Sequence, residues 1–298
     1  MKSNNTLFTI EKIKPLFSNI DIKEQIGRGG QKVVFKGEHK KYGSVALKLI
    51  CPSNKSEQDR ALRELLISSQ LDASYFAKIY EYNNLKLEGK DIIYVIEEFI
   101  VGESLRERIN KNKPNLLPKD EVKVIIESLL KALILTESKH LVHRDIKPEN
   151  IMISDKRVVL IDFGIARHLD MVSLTETFAV FGPMTPGYAA PEQIKNEKRK
   201  ISIRTDLFSL GILFYELLTG ENPFVCSTVP ETLNKTLNYS PIPLINKGFD
   251  HSISDFINAC LEKSPHRRPA SAEIALKLFY KINWEELWSF YYNKVGVC

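Results

Sequence analysis

The chain has 298 residues, 43% of them hydrophobic and 27% charged, a composition ordinary for a globular protein with a sizeable core. Its 42 Lys and Arg against 37 Asp and Glu give a formal charge of +5, too mild to argue for a nucleic-acid partner. Cys51, Cys226, Cys260 and Cys298 show no Cys-x-x-Cys spacing, which suggests neither a zinc site nor a disulfide framework and fits a reducing cytoplasm.

Residues 1–19 read as a polar leader. IDIKEQIG, KVVFKGEH and GSVALKLI then follow as short β-rich segments between Gly- and Lys-rich turns, and predict a small antiparallel sheet. In the first turn, IGRGGQKVVFKG places Gly27 and Gly29 where missing side chains let backbone N–H groups approach a phosphate. A strand rather than a helix follows, and no Gly-Lys-Ser/Thr ending is present, so the segment reads as a hairpin rather than a Rossmann or Walker turn. A plain glycine turn is the bland alternative. Lys48 sits inside the apolar run VALKLI, where an unpaired ammonium is costly.

Residues 59–71 mix Arg, Glu and Leu in a helical pattern, and IIYVIEEF (92–99) returns to strand, so the first lobe ends near Gly102. Val122, Ile125, Ile126, Leu129, Leu130 and Leu133 recur at helical spacing and predict a long helix. Residues 208–218, 252–261 and 272–280 are expected as further helices. The first is the most apolar stretch of the chain, yet it is short and carries Glu216, so no membrane span is expected. Trp284, Leu287, Trp288 and Tyr291 form an aromatic helical stripe, read as packing on the chain's own helical part rather than as a partner-docking helix.

The chemistry is concentrated in HRDIKPEN (143–150). Asp145 could accept a proton, Lys147 could hold a phosphate and Asn150 could bind a metal; His143 reads as structural. A loop of solvated charges is the alternative. That alternative must also explain IDFGIAR, which places Asp162 beyond Asn150, and GYAAPE, which ends on Glu192. This order resembles the eukaryotic-type (Hanks-type) serine/threonine protein kinase family, most like its bacterial cytosolic members, over residues 20–280.

The resemblance implies an α+β, bilobal protein-kinase-like fold: a small antiparallel β-sheet lobe with one helix (about 20–101) and a larger, mostly helical lobe (about 102–280), with 281–298 as an extension. ATP and Mg²⁺, or Mn²⁺ in its place, would lie between the lobes. Phosphoryl transfer spreads negative charge, so the site needs cations and a positioned hydroxyl more than a strong base. By the resemblance Asp145 orients the acceptor hydroxyl and Lys147 offsets charge on the γ-phosphate. Asn150 and Asp162 would hold the metal, with Phe163 packing behind the metal loop.

Gly27 and Gly29 would cover the phosphates, while Val34, Ala46 and Met152 would pack the adenine. Lys48 would bind the α/β-phosphates and pair with Glu64. Backbone groups of Glu98 and Ile100 would bond the adenine edge, with Ser104 near the ribose. Glu192 and Arg268 would form a buried anchoring pair, Asp206 would bind the catalytic-loop backbone, and Thr185 would contact Asp145. Thr175 and Thr177 in SLTETFAVFG would be autophosphorylated, in a dimer acting in trans, and would draw on Arg144, with Arg167 assisting.

Three positions depart from the family pattern. Lys32 replaces the third glycine and could stiffen the loop tip or offer a phosphate an extra cation; Glu97 falls at the back of the pocket, where its charge calls for a cation or the register is shifted; Pro183 and Met184 are inserted between Gly182 and Thr185. The expected partners are proteins with Ser/Thr acceptors, with no nucleic acid and no membrane span. Two other functions are compatible with parts of the pattern. A scaffolding pseudokinase would fit Lys32 and Glu97, and a small-molecule kinase would share the Asp and Asn, although the Ala-Pro-Glu segment favours protein substrates.

Overall fold

In the computed structural model, which describes residues 7–29, 32–154, 157–162 and 184–285, the chain divides into two units. One is Met1–Val101 with Asp162–Pro183, the other Gly102–Ile161 with Met184–Cys298.

In the first unit, helix α1 (Ile10–Ile13) precedes strands β1 (Ile20–Arg28), β2 (Lys32–His39) and β3 (Gly43–Ile50). Helix α2 (Lys55–Ser68) and strands β4 (Ile79–Leu87) and β5 (Lys90–Glu98) follow. The sheet is antiparallel throughout, in the order β1-β2-β3-β5-β4. Alternation along each strand decides which residues share a face. Val33, Phe35, Val45, Leu47, Leu49 and Ile96 lie on one side, in a buried cluster with Leu7, Phe8, Ile13 and Phe17. The register puts Val34, Ala46, Lys48 and Glu97 on the opposite side.

The reading of residues 1–19 as a polar leader is therefore corrected for its described part. LFTIEKIKPLF (7–17) carries its apolar residues at spacings that let them close the back of the sheet, with Leu7, Phe8, Ile13 and Phe17 each at most 8% exposed. On the other face, α2 packs Ala61 and Leu65 against Ile50, Ile93 and Val95. Its start is fixed by Asn54, whose side chain accepts from Glu57 N at 3.0 Å, while Glu57 Oε2 accepts from Ser53 N at 2.9 Å. Strand β4 was not anticipated. IYEYNNLKL lies at the edge of the sheet and is half-buried to exposed, so burial imposes no clean alternation on it.

The second unit contains β6 (Glu103–Ser104), α3 (Leu105–Asn112), α4 (Lys119–Ser138), β7 (Ile151–Ser154) and β8 (Arg157–Leu160). Helices α5 (Pro191–Ile194), α6 (Ile203–Thr219), α7 (Val229–Asn238), α8 (His251–Cys260) and α9 (Ala272–Phe279) complete it. Gly102 leads into β6 at φ +157°, where a Cβ would meet Ile153 O at 2.2 Å, so only glycine allows this approach to β7. Helix α6 is buried nearly all round, which explains its continuous apolar run.

Trp284 is buried against Phe214 and Phe279, with ring centroids 6.0 and 5.6 Å away, and its carbonyl accepts from Lys119 Nζ at 2.8 Å. The described start of the C-terminal stripe thus packs on its own helical unit; Leu287, Trp288 and Tyr291 lie outside the described residues. The expected class is present: a small antiparallel sheet with a helix, and a larger helical part. Among the described residues, no helix is long and apolar enough to cross a membrane.

Candidate active site

The catalytic-loop candidates follow α4 and are fixed by their own backbone. His143 is fully buried; its Nε2 donates to Ile161 O at 3.1 Å, leaving Nδ1 to accept from Asp145 N at 3.3 Å. Asp206, in the first turn of α6, accepts from the backbone N–H groups of His143 and Arg144, each at 2.7 Å. Burial pushes the Asp206 carboxyl up to about 7, against the pull of those two N–H groups. Arg144 adopts φ +66°, a left-handed conformation uncommon for a long side chain, and Gln193 Nε2 donates to its carbonyl at 2.9 Å.

This frame presents four side chains together. Asp145 Oδ1 accepts from Thr185 Oγ1 at 2.9 Å, and Oδ2 accepts from Asn150 Nδ2 at 2.8 Å. Lys147 Nζ lies 3.1 Å from Asp145 Oδ2 and donates to Thr185 Oγ1 at 3.0 Å. Asn150 Nδ2 also donates to Asp145 O at 2.8 Å, so its amide nitrogen is committed to the loop and its oxygen is the atom suited to a cation. Thr185 reaches Asp145 despite the inserted Met184; Pro183 lies outside the described residues.

Behind these groups, Arg268 and Glu192 form a fully buried bidentate pair at 2.7 and 2.9 Å. Arg268 donates further to the carbonyls of Arg204, Glu262 and Lys263, and Thr205 Oγ1 donates to Glu192 at 2.8 Å. Sequence reasoning missed a second network. Arg106 on α3 donates to Glu149 at 2.8 Å, Glu216 at 2.7 Å and Tyr188 at 2.6 Å, while Tyr188 Oη donates to Glu216. Its signal was the lone Glu216 in the apolar run of α6, since a buried carboxylate needs a partner.

In the sheet unit, Lys48 is 8% exposed and pairs with two carboxylates, Glu97 Oε1 at 2.5 Å and Asp162 Oδ1 at 2.7 Å. Lys32 Nζ takes the other Asp162 oxygen at 2.6 Å. Lys32, expected to stiffen the loop tip or to offer a phosphate a cation, here engages Asp162. The pair expected between Lys48 and Glu64 is corrected: α2 carries Glu64 half-buried, and the ion pairs of Lys48 go to Glu97 and Asp162. The acidic charge at 97 thus has its cation, and no shift of register is required.

Burial pushes the Lys48 ammonium down, but Asp162 and Glu97 outweigh it and hold it above the usual lysine range. Burial likewise pushes the Asp162 carboxyl up, and Lys48 and Lys32 more than reverse this, keeping it well below the usual carboxylate range. For Glu97 burial outweighs Lys48, and its carboxyl stays raised. Asp162 sits at φ +61°, a left-handed conformation that directs its side chain at the cost of some backbone strain.

Gly27 faces Val34 across the β1–β2 ladder, and Gly29 N donates to Lys32 O at 2.7 Å, so the glycine segment is a hairpin. Val34 and Ala46 are buried on the face that bears Lys48; Met152 is half-buried on β7. At the end of β5, Glu98 N donates to Lys78 O at 2.8 Å, and Ile100 beyond it is buried. Ser104, placed near a ribose by resemblance, caps α3 in a capping box with Glu107. Phe163, Arg167, Thr175 and Thr177 lie outside the described residues.

Among the described residues no three His, Cys, Asp or Glu cluster into a metal cage. Asp162 in the sheet unit and, separately, the amide oxygen of Asn150 in the helical unit each offer a hard oxygen of the kind Mg²⁺ takes beside phosphates and water. Such groups suit phosphoryl transfer.

The comparisons agree with that class. The protein kinase domain family matches residues 20–280. The chain is 34% identical over 208 residues to a probable serine/threonine-protein kinase PknB of Lactococcus lactis, covering 67% of this chain and 31% of that protein. It is 30% identical over 268 residues to a probable serine/threonine-protein kinase of Clostridium perfringens, covering 87% and 38%. The PknI kinase domain of Mycobacterium tuberculosis matches with a TM-score of 0.67 at 19% identity, covering 89% of this chain and 96% of that one, a likeness of fold. The chain therefore belongs to the protein kinase family, in its eukaryotic-type serine/threonine branch. It spans about a third of the length of the curated relatives it matches.

Proposed function

We propose that this chain is a catalytically active serine/threonine protein kinase that transfers the γ-phosphate of ATP to protein hydroxyls with Mg²⁺, or Mn²⁺ in its place. The observation that carries this reading is Asp145, held by Thr185 on one oxygen and by Asn150 and Lys147 on the other. So held, Asp145 orients the acceptor hydroxyl and takes its proton, while Lys147 offsets negative charge on the transferred group. Asp162 and Asn150 would hold the metal, which when bound neutralises phosphate charge. Lys48 would bind the α/β-phosphates, with Gly27 and Gly29 over them, and Val34, Ala46, Met152 and the backbone of Glu98 and Ile100 would take the adenine.

Phosphorylation of Thr175 and Thr177, in trans within a dimer, would raise activity by pairing with Arg144. Use of ATP fits a cytoplasmic location. The contact of Lys32 with Asp162 favours one other reading, a scaffold that does not use nucleotide. Thermal melts with millimolar nucleotide separate the two. The kinase reading predicts a rise in Tm with Mg·ATP that Lys48→Met and Asp162→Ala each diminish, and phosphate on Thr175 or Thr177 by mass spectrometry. No shift and no phosphate would favour the scaffold.

A further inference from the structure

Lys48 lies on β3, and the two strands beside it fix what it can touch. The β3–β5 ladder pairs Lys48 with Val95 and Ala46 with Glu97, so Glu97 is the diagonal same-face neighbour of Lys48. Such neighbours lie within reach of long side chains. Both residues are 8% exposed and their charged ends meet at 2.5 Å. With Asp162 and Lys32 they form a group of two ammoniums and two carboxylates, neutral as a whole, which is how buried charge is tolerated.

We infer that Glu97, anchored in the central ladder of the sheet, is the positioning residue of Lys48, so that the orientation of this lysine does not depend on a carboxylate carried by α2. The inference rests on the reading of Lys48 as a nucleotide-phosphate ligand. Its consequence is mechanical. A partner on the neighbouring strand is held by the backbone hydrogen bonds of the sheet, whereas a partner on a helix is lost whenever the helix shifts. Lys48 is therefore held from within its own sheet.

The test compares Glu97→Gln, Glu97→Leu and Glu64→Gln in the full chain. It reads the affinity for Mg·ATP by calorimetry, and the KM values for ATP and for an acceptor peptide by phosphate transfer. Glu97→Gln should weaken ATP binding and raise the KM for ATP by about tenfold or more, with the acceptor KM unchanged. Glu64→Gln should produce a clearly smaller loss. In a Lys48→Met background, Glu97→Gln should add no further loss of ATP affinity, because the group it positions is gone.

Should Glu97→Leu fail to fold, Lys48→Met/Glu97→Leu removes both charges together and should fold, which keeps the burial argument open to refutation. Wild-type affinity in Glu97→Gln, a larger loss in Glu64→Gln, or additive losses in the Lys48→Met background would each overturn the inference. Failure of the kinase reading itself looks different: the wild type would bind no Mg·ATP and transfer no phosphate.

Discussion

Asp145 has both oxygens engaged, by a hydroxyl on one side and by an amide and an ammonium on the other. A carboxylate fixed in this way is held in one orientation, which distinguishes it from a solvated turn residue. The residues that fix it were legible in the sequence because they recur at short linear spacing. Glu97 was legible as a position and not as a partner, since its contact with Lys48 depends on the register between β3 and β5. A different residue, away from the site, carries a pH dependence of its own. Lys263 lies over Phe224 at 4.3 Å and donates to Thr236 O at 2.7 Å. Burial, and then Arg268, push its ammonium from 10.5 down to about 8. A lysine with a lowered folded-state value binds fewer protons folded than unfolded between those limits, so its contribution to stability rises as pH rises from about 8 to 10.5. Thermal melts across this range should show the Tm of wild type gaining on that of Lys263→Met, and parallel curves would show that Lys263 is not perturbed.

At the level of elements, the sheet and the principal helices followed from composition and periodicity. Strands β2, β3 and β5 are runs of β-branched and apolar residues, largely buried, and the 3.6-residue spacing of α4 reflects a face that must be buried. Several segments escaped, two of them for plain physical reasons. Strand β4 is an edge with little burial to impose a pattern, and residues 7–17 combine lysines with apolar groups that become legible as core only once a sheet is there to receive them. Helix α6 shows how closely the elements pack. A Cβ at Gly211 would lie 2.8 Å from Cys260 Cβ and 3.1 Å from Leu261 on the chain of α8 and its end. Gly211→Ala should therefore destabilise the protein by about 1–3 kcal/mol through overpacking, in spite of the better helix propensity of alanine. Urea titration would show this as a lower midpoint at unchanged slope; a stabilised variant would mean that α8 yields more readily than its burial implies.

For the molecule as a whole, each unit carries a distinct part of the chemistry. The sheet unit holds the Lys48, Glu97, Asp162 and Lys32 charges, and the helical unit holds Asp145, Lys147, Asn150 and Thr185. The class was legible because its linear motifs span most of the chain, and the family match over residues 20–280 covers the same stretch. The acceptor protein is not written in these motifs, because an acceptor is chosen by surface shape and charge assembled from distant segments. The central claim is that Asp145 serves transfer rather than architecture alone, and one measurement addresses it directly: transfer of labelled γ-phosphate from ATP by purified wild type and Asp145→Asn, with nucleotide affinity measured on both. Asp145→Asn should transfer phosphate about 10²–10⁴-fold more slowly while binding Mg·ATP nearly as well as wild type. Equal rates in the two proteins would contradict the account.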